Sequence, residues 1–329
     1  MTGGAPGLSQ RLAEQPFVLL DGGLASELAQ RGHDLSSPLW SAAILLNDPA
    51  AITAVHLDYL RAGAEVITTA SYQASARGLA AQGYSPQSTA ELLRLSVRLA
   101  RAAAEAFVAE SPRARPPLVA ASIGPYGASL ADGSEYTGDY DCDEAGLVEF
   151  HRDRAACLAP LADLLACETI PSAAEARALA TVLAEVLPRH PGLQAWVTMT
   201  CRDARHASCG TPLPDALRPL LAVPGVVALG VNCVHPQHVP ALVRSTAALA
   251  GPTRAVVAYP NAGEDWDADA RTFRGDPMSP PHFASQARSW VTAGARLVGG
   301  CCRTTPAHIA ALAALRDSEE SEYPRDAWR

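Results

Sequence analysis

The stretch Leu297-Val298-Gly299-Gly300-Cys301-Cys302-Arg303 decides how the rest of the chain is read. An apolar run ends in two glycines and then two adjacent cysteines, the pattern of a buried strand and its exit. Side chains on a regular strand alternate faces, so neighbouring cysteines would point apart. Glycines at the strand end relax the backbone and let both sulfurs turn toward one point. Val226-Val227-Ala228-Leu229-Gly230-Val231-Asn232-Cys233 is a second apolar run with a cysteine at its end. Three thiolates from two strand ends can make a zinc site, because catalytic zinc keeps three protein ligands and one open position. Spacing alone leaves two other readings open: three buried small residues, or a redox pair, since structural zinc motifs usually carry Cys-x-x-Cys spacing.

Working outward, the same motif of apolar run and polar exit recurs. Phe17 to Leu20 is closed by Asp21-Gly22-Gly23; Ala64 to Thr69 and Pro117 to Ser122 follow; Ala162 to Cys167 ends in Glu168-Thr169. Gln194 to Thr200, the run to Cys233, Arg254 to Tyr259 and the run to Gly300 complete eight strand signals. Helix signals lie between them. Pro49 to Gly63 reads as a helix, Ser88 and Glu91 have capping-box spacing ahead of a long one, and Ser172 with Glu175 repeats it. Thr305 caps a final helix with Pro306 at its first position. Strict alternation implies a parallel sheet, and eight units imply a single-domain (β/α)₈ TIM barrel with its active site at the C-terminal strand ends. A doubly wound sheet is the alternative; no Gly-x-Gly-x-x-Gly follows a strand, which weakens its dinucleotide form. The expected division is an N-terminal extension over 1–15, the barrel over 16–316 and a loose charged tail over 317–329.

The 329 residues are 48% hydrophobic, enough for a large core, and carry a net charge of −8 with no long basic stripe, which argues against nucleic acid as a partner. No run reaches the length of a membrane span, and Met1 to Gln10 lacks the apolar core of a signal peptide, so a cytoplasmic protein without membrane partners is expected. Eight cysteines in such a chain argue for reduced thiols rather than a disulfide framework. Cys142, Cys157, Cys167, Cys201 and Cys209 read as core or loop thiols.

On a barrel, Asp21, Thr69, Tyr72, Ser122, Glu168, Asn232, Cys233, Asn261, Cys301 and Cys302 share one rim. Cys233 and the Cys301-Cys302 pair are two strands apart, about 10 Å along a sheet, and barrel closure shortens that gap enough for one metal to be shared. Asp21 and Glu168 either make a turn and a cap or offer two carboxylates to a cationic group such as an α-ammonium. Ser172 already supplies the cap, which favours the second role for Glu168. Asn232 either contacts the substrate or turns the chain, and Arg303 pairs with a substrate carboxylate or a neighbouring acid.

With these residues in place, the chain resembles the homocysteine S-methyltransferase family from about Pro16 to Leu315. The motifs that carry the likeness are Asp21-Gly22-Gly23, Gly230-Val231-Asn232-Cys233 and Gly299-Gly300-Cys301-Cys302-Arg303. The resemblance implies a (β/α)₈ barrel holding Zn²⁺ on Cys233, Cys301 and Cys302, with the homocysteine amine on Asp21 and Glu168. Tyr72 falls near a position where a relative uses a tyrosine as a provisional fourth zinc ligand. Ser71-Tyr72-Gln73-Ala74, Gly124-Pro125-Tyr126-Gly127-Ala128 and Ala131-Asp132-Gly133-Ser134-Glu135-Tyr136 resemble the branch that uses S-methylmethionine or S-adenosylmethionine. Cobalamin-dependent methionine synthases carry further domains; none follows the barrel here, so a diffusible small-molecule donor is expected.

The loop from Pro125 to Asp143 adds its own argument. It carries Asp132, Glu135, Asp139, Asp141 and Asp143 interleaved with Tyr126, Tyr136 and Tyr140, and no lysine or arginine. Carboxylates and aromatic faces attract cations, so this loop suits a donor bearing both a sulfonium and an ammonium. Betaine is the rival donor. The rival classes are a thiol-redox protein using the Cys301-Cys302 pair and a non-catalytic zinc module, which would close its site with a fourth protein ligand.

Overall fold

The computed structural model describes residues 7–35, 41–263, 265–267 and 272–322. Its strands are β1 (Val18–Leu19), β2 (Val66–Thr68), β3 (Leu118–Ile123), β4 (Leu164–Ile170), β5 (Gln194–Met199), β6 (Val226–Asn232), β7 (Ala255–Tyr259), a short hairpin of β8 (Asp265–Asp267) and β9 (Thr272–Arg274), and β10 (Ala295–Val298). Eight of them form one sheet in the order β1-β10-β7-β6-β5-β4-β3-β2, every pairing parallel. The parallel bridge Leu20–Val66 joins the two edges, so the sheet closes into the expected (β/α)₈ barrel rather than an open doubly wound sheet. Parallel strands must be covered on both faces, which is why they read as near-continuous apolar runs. Inward residues Val18, Val66, Ala120, Ala166, Trp196, Ala228, Val257 and Leu297 fill the interior. Outward residues such as Leu19, Ile67, Val119, Leu165, Val197 and Val298 pack under the helices.

The helices obey local chemistry, with one shift. Pro49–Arg61 starts at Asp48, whose side chain accepts from Ala51 N, and Ser172 caps Ala173–Val186 by accepting from Glu175 N, as the spacing predicts. The long helix begins earlier than expected: it spans Pro86–Glu110, and Ser85 is its cap, accepting from Ser88 N at 3.1 Å. Pro86 at the first helical position makes that start favourable, since its missing N–H would have had no partner there.

Both chain ends carry helices. The segment read as an extension contains a helix, Leu8–Glu14. Leu8 is fully buried with the barrel interior, and the buried Arg11 guanidinium donates to Pro116 O. This helix therefore stoppers the barrel at the N-terminal ends of its strands, with Leu8 alone contributing about 2 kcal/mol of apolar burial. At the other end, the final helix runs Pro306–Glu322, so 317–322 is helical rather than loose; 323–329 lies outside the described residues. The hairpin β8–β9 had no signal in the sequence. Among the described residues no helix is long and apolar enough to cross a membrane.

Candidate active site

The C-terminal ends of the strands surround a cavity lined by Asp21, Thr68, Tyr72, Ser122, Glu135, Tyr136, Glu168, Thr169, Asn232, Tyr259 and the three cysteines of the two motifs. Cys233 stands one residue past β6 in left-handed backbone, φ 52°. Cys301 and Cys302 stand beyond β10 in a turn, so strand alternation no longer separates them. The turn is pinned on both sides. Gly300 N donates to Asp21 O at 3.0 Å and Cys301 N to Pro260 O at 2.8 Å, while Cys302 N donates to Asn261 Oδ1 at 3.2 Å. Gly300 is obligatory here, because a Cβ on it would lie 2.3 Å from Thr304 Oγ1, and the Thr304 hydroxyl donates to Cys301 O at 2.7 Å.

The three sulfurs lie within 4.8 Å of one another, with Cys233 Sγ 3.7 Å from Cys302 Sγ. Sulfurs on a tetrahedral zinc at about 2.3 Å would stand about 3.8 Å apart, so the donor set and its spacing fit that ion. In the protein alone, hydrogen bonds from Cys301 and Cys302 hold the Cys233 thiol well below its ordinary range. The same sharing with Cys233 pushes Cys301 and Cys302 up. Three thiolates this close need a cation to coexist, which a divalent metal supplies. The redox reading required only the vicinal pair, and the structure instead brings in Cys233 as an equal third member.

Asp21 and Glu168 line the same cavity, and neither makes the local turn or cap that competed for it. Asp21 Oδ2 accepts from Thr68 N at 2.7 Å and Oδ1 from the Thr68 hydroxyl at 3.0 Å, so it reaches across to β2. Glu168 accepts from the Ser122 hydroxyl and, at 3.0 Å, from the Tyr259 hydroxyl. Burial raises Asp21 to about 8 and Glu168 to about 7, against the hydrogen bonds that favour the charged forms. Two such carboxylates facing one cavity could take a cation, whose arrival would favour ionisation.

The other expected residues divide between the cavity and its surroundings. Tyr72 lines the cavity, but the hydroxyl that lies against the cluster belongs to Tyr136, 3.6 Å from Cys233 Sγ. Asn232 is fully buried and commits its side chain to protein: Oδ1 accepts from Thr169 N and the Thr198 hydroxyl, and Nδ2 donates to Thr169 Oγ1. Arg303 is exposed and lies outside the cavity lining. Of the loop acids, Glu135 lines the cavity; Asp132, Asp139, Asp141 and Asp143 are exposed. Asp132 accepts from Ser134 N at 2.9 Å in a turn, and Asp143 caps the helix Glu144–Leu158. Tyr126 and Tyr140 are also used structurally, on Arg77 and Glu175 respectively. The loop presents Glu135 because Gly127 lets it fold back: a Cβ there would lie 2.4 Å from Glu135 N.

Two supporting side chains left little trace in the sequence. Arg154 is buried and donates to Gly124 O, Ser71 O and Tyr72 O, tying together the loops after β2 and β3. Glu175 is buried and accepts from Tyr126 N at 2.6 Å, His151 Nε2 at 2.8 Å and the Tyr140 hydroxyl. Both are charged residues inside helices; Arg154 shows in the sequence only as a charge on an otherwise core-facing stripe, and Glu175, read there as the partner of the Ser172 cap, turns its carboxylate to Tyr126, His151 and Tyr140 instead.

Comparisons with known proteins place the chain in a family. Residues 18–315 match the family described as homocysteine S-methyltransferase. The chain is 48% identical to the homocysteine S-methyltransferase of Escherichia coli K12 over 304 residues, covering 92% of this chain and 96% of the relative. It is 44% identical to homocysteine S-methyltransferase YbgG of Bacillus subtilis 168, covering 91% and 94%. The crystal structure of the Escherichia coli homocysteine methyltransferase MmuM in its metallated form superposes with a TM-score of 0.82 at 46% identity, covering 92% of this chain and 98% of that one. By the match over residues 18–315 and these identities, the chain belongs to the homocysteine S-methyltransferase family.

Proposed function

We infer that this methyltransferase uses Zn²⁺ on Cys233, Cys301 and Cys302 to transfer a methyl group from a sulfonium donor, S-methylmethionine by preference, to homocysteine, yielding methionine. The three-sulfur cluster on the floor of a cavity that also holds two ionisable carboxylates carries the reading. Bound there, zinc would supply an open fourth position and keep an incoming thiol as its thiolate at neutral pH.

The protein's own groups do the rest. Asp21 and Glu168, held by Thr68, Ser122 and Tyr259, receive the homocysteine ammonium and aim the sulfur at the cluster. The homocysteine sulfur lone pair forms the new S–CH₃ bond. The S⁺–CH₃ bond of the donor breaks with its electron pair returning to the donor sulfur, which leaves as a neutral thioether. No proton moves in that step, so no general acid is needed and the protein contributes alignment and exclusion of water. Glu135 and Tyr136 offer a carboxylate and an aromatic face to the donor cation from the loop side. Tyr72 lines the same cavity and serves the donor or the vacant ligand position.

Methionine formation from homocysteine, with S-methylmethionine, S-adenosylmethionine and betaine supplied in parallel, tests this. The reading requires the fastest turnover with S-methylmethionine, and a preference for betaine rejects the donor assignment.

A further inference from the structure

Thr169 and Cys233 both line the cavity in left-handed backbone, at φ 62° and φ 52°. A β-branched residue adopts that conformation only where its surroundings enforce it. Each of the two adjoins a working group: Thr169 follows Glu168, and Cys233 is itself one of the three sulfurs. The register of β4 on β5 shifts between Cys167 and Ile170, so Glu168 departs from ordinary alternation and is re-aimed by an irregularity in the strand. One side chain joins the two strained points. Asn232, immediately before Cys233, accepts from Thr169 N at 2.7 Å and donates to Thr169 Oγ1 at 2.8 Å. Asn232 is anchored further by the Thr198 hydroxyl at 2.8 Å, and its Nδ2 stands 3.9 Å from Cys301 Sγ.

We propose that the Asn232–Thr169 clamp is a ruler that fixes the distance between the Glu168 carboxylate and the sulfur cluster, and so selects homocysteine over cysteine, which is one methylene shorter. This rests on the homocysteine reading above. An amino-acid thiol that must reach Glu168 with its ammonium and the cluster with its sulfur has a length set by the protein. One methylene changes that reach by about 1 Å, and a misplacement of that size costs about 10²-fold in a positioned reaction. Asn232 touches protein groups throughout, so it acts as a positioning residue rather than a catalytic one.

The test is calorimetric binding of L-homocysteine and of L-cysteine, without donor, to zinc-loaded wild type, Asn232→Ala, Thr169→Gly and Thr169→Ser, with zinc content measured in parallel. Glycine adopts the left-handed backbone freely, so Thr169→Gly keeps the fold while removing the hydroxyl that Asn232 holds. The wild type should bind homocysteine at least about tenfold more tightly than cysteine, the lower end of what one methylene normally gives. In Asn232→Ala and Thr169→Gly that ratio should fall about tenfold with zinc retained, while Thr169→Ser, which keeps the hydroxyl, should stay within about threefold of wild type. If Asn232→Ala does not fold, Thr169→Gly decides alone. Equal weakening of both amino acids would mean a lost contact to the shared head group and would overturn the ruler, as would an unchanged ratio. A wild type that binds both equally overturns the ruler but not the homocysteine reading; one that binds neither overturns both.

Discussion

Glu168→Gln should weaken function without weakening the fold, and the two effects have opposite signs. Glu168 is 8% exposed, and burial raises its carboxyl from 4.5 to about 7. An acid with a raised folded-state pKa contributes stability below its unfolded pKa and loses it as pH rises through the folded value. Between pH 4.5 and pH 7 the unfolded chain ionises this carboxyl while the folded enzyme keeps its proton. At pH 8 the ionised Glu168 therefore costs the empty enzyme about 3 kcal/mol, at about 1.36 kcal/mol for each pH unit of that window. Glutamine removes that cost, and the Tyr259 hydroxyl can turn to Thr198 Oγ1, 3.0 Å away. The melting temperature at pH 8 should hold or rise. Homocysteine loses a charge-assisted bond of about 1.5–3 kcal/mol, which is about ten- to a hundredfold in affinity. Zinc content should not change. Calorimetric titration with homocysteine and a thermal melt at pH 8, on the same preparations, read both effects. A homocysteine affinity within threefold of wild type would refute the assignment, and a large drop in melting temperature would show that Glu168 is a structural partner of Ser122 and Tyr259 instead.

Further outcomes follow from the same structure. Cys302→Ser should lose most of the zinc and the activity by metal analysis and methionine assay, because each sulfur is one of three donors. Chelation should leave the far-ultraviolet circular dichroism of the barrel unchanged, since all three ligands stand beyond the ends of β6 and β10 and, of the three, only Cys301 packs against the barrel interior, partly buried. Glu135→Gln should raise the donor KM while Asp139→Asn and Asp141→Asn should not, because only the first of these lines the cavity. His56 is fully buried, and desolvation lowers it from 6.5 to about 4, so the folded protein binds fewer protons than the unfolded chain between those values. Its stability contribution falls as pH drops through that window, by about 2 kcal/mol between pH 7 and pH 5, and denaturant titration of His56→Leu at the two pH values should show that loss removed.

The parts of this molecule that were legible in the sequence are those fixed by local pattern. Eight apolar runs survive as eight barrel strands because a parallel sheet buried on both faces leaves no room for alternation. That Cys233, Cys301, Cys302, Asp21 and Glu168 line one cavity was legible from their place at strand exits. What was not legible depends on how segments fold back on one another. Tyr136 brings its hydroxyl to 3.6 Å from Cys233 Sγ because a loop without periodicity returns over the cavity through the close approach at Gly127. Four of the five loop acids point to solvent or cap a helix for the same reason. Asn232 was read as a substrate contact or a turn; its link to Thr169 joins β6 to β4 and has no signature in either strand alone. The stoppering helix did leave a faint trace, Leu8, Arg11 and Leu12 at helical spacing, inside a segment whose composition looked like an extension.

The central claim is that a homocysteine sulfur joins Cys233, Cys301 and Cys302 on one zinc. X-ray absorption at the zinc edge, with and without homocysteine, addresses it most directly. The account predicts three sulfur ligands and one lighter atom in the free enzyme, at about 2.3 Å for sulfur, changing to four sulfurs when homocysteine is added. A first shell that keeps three sulfurs with homocysteine bound, or that already holds four sulfurs without it, would contradict the account.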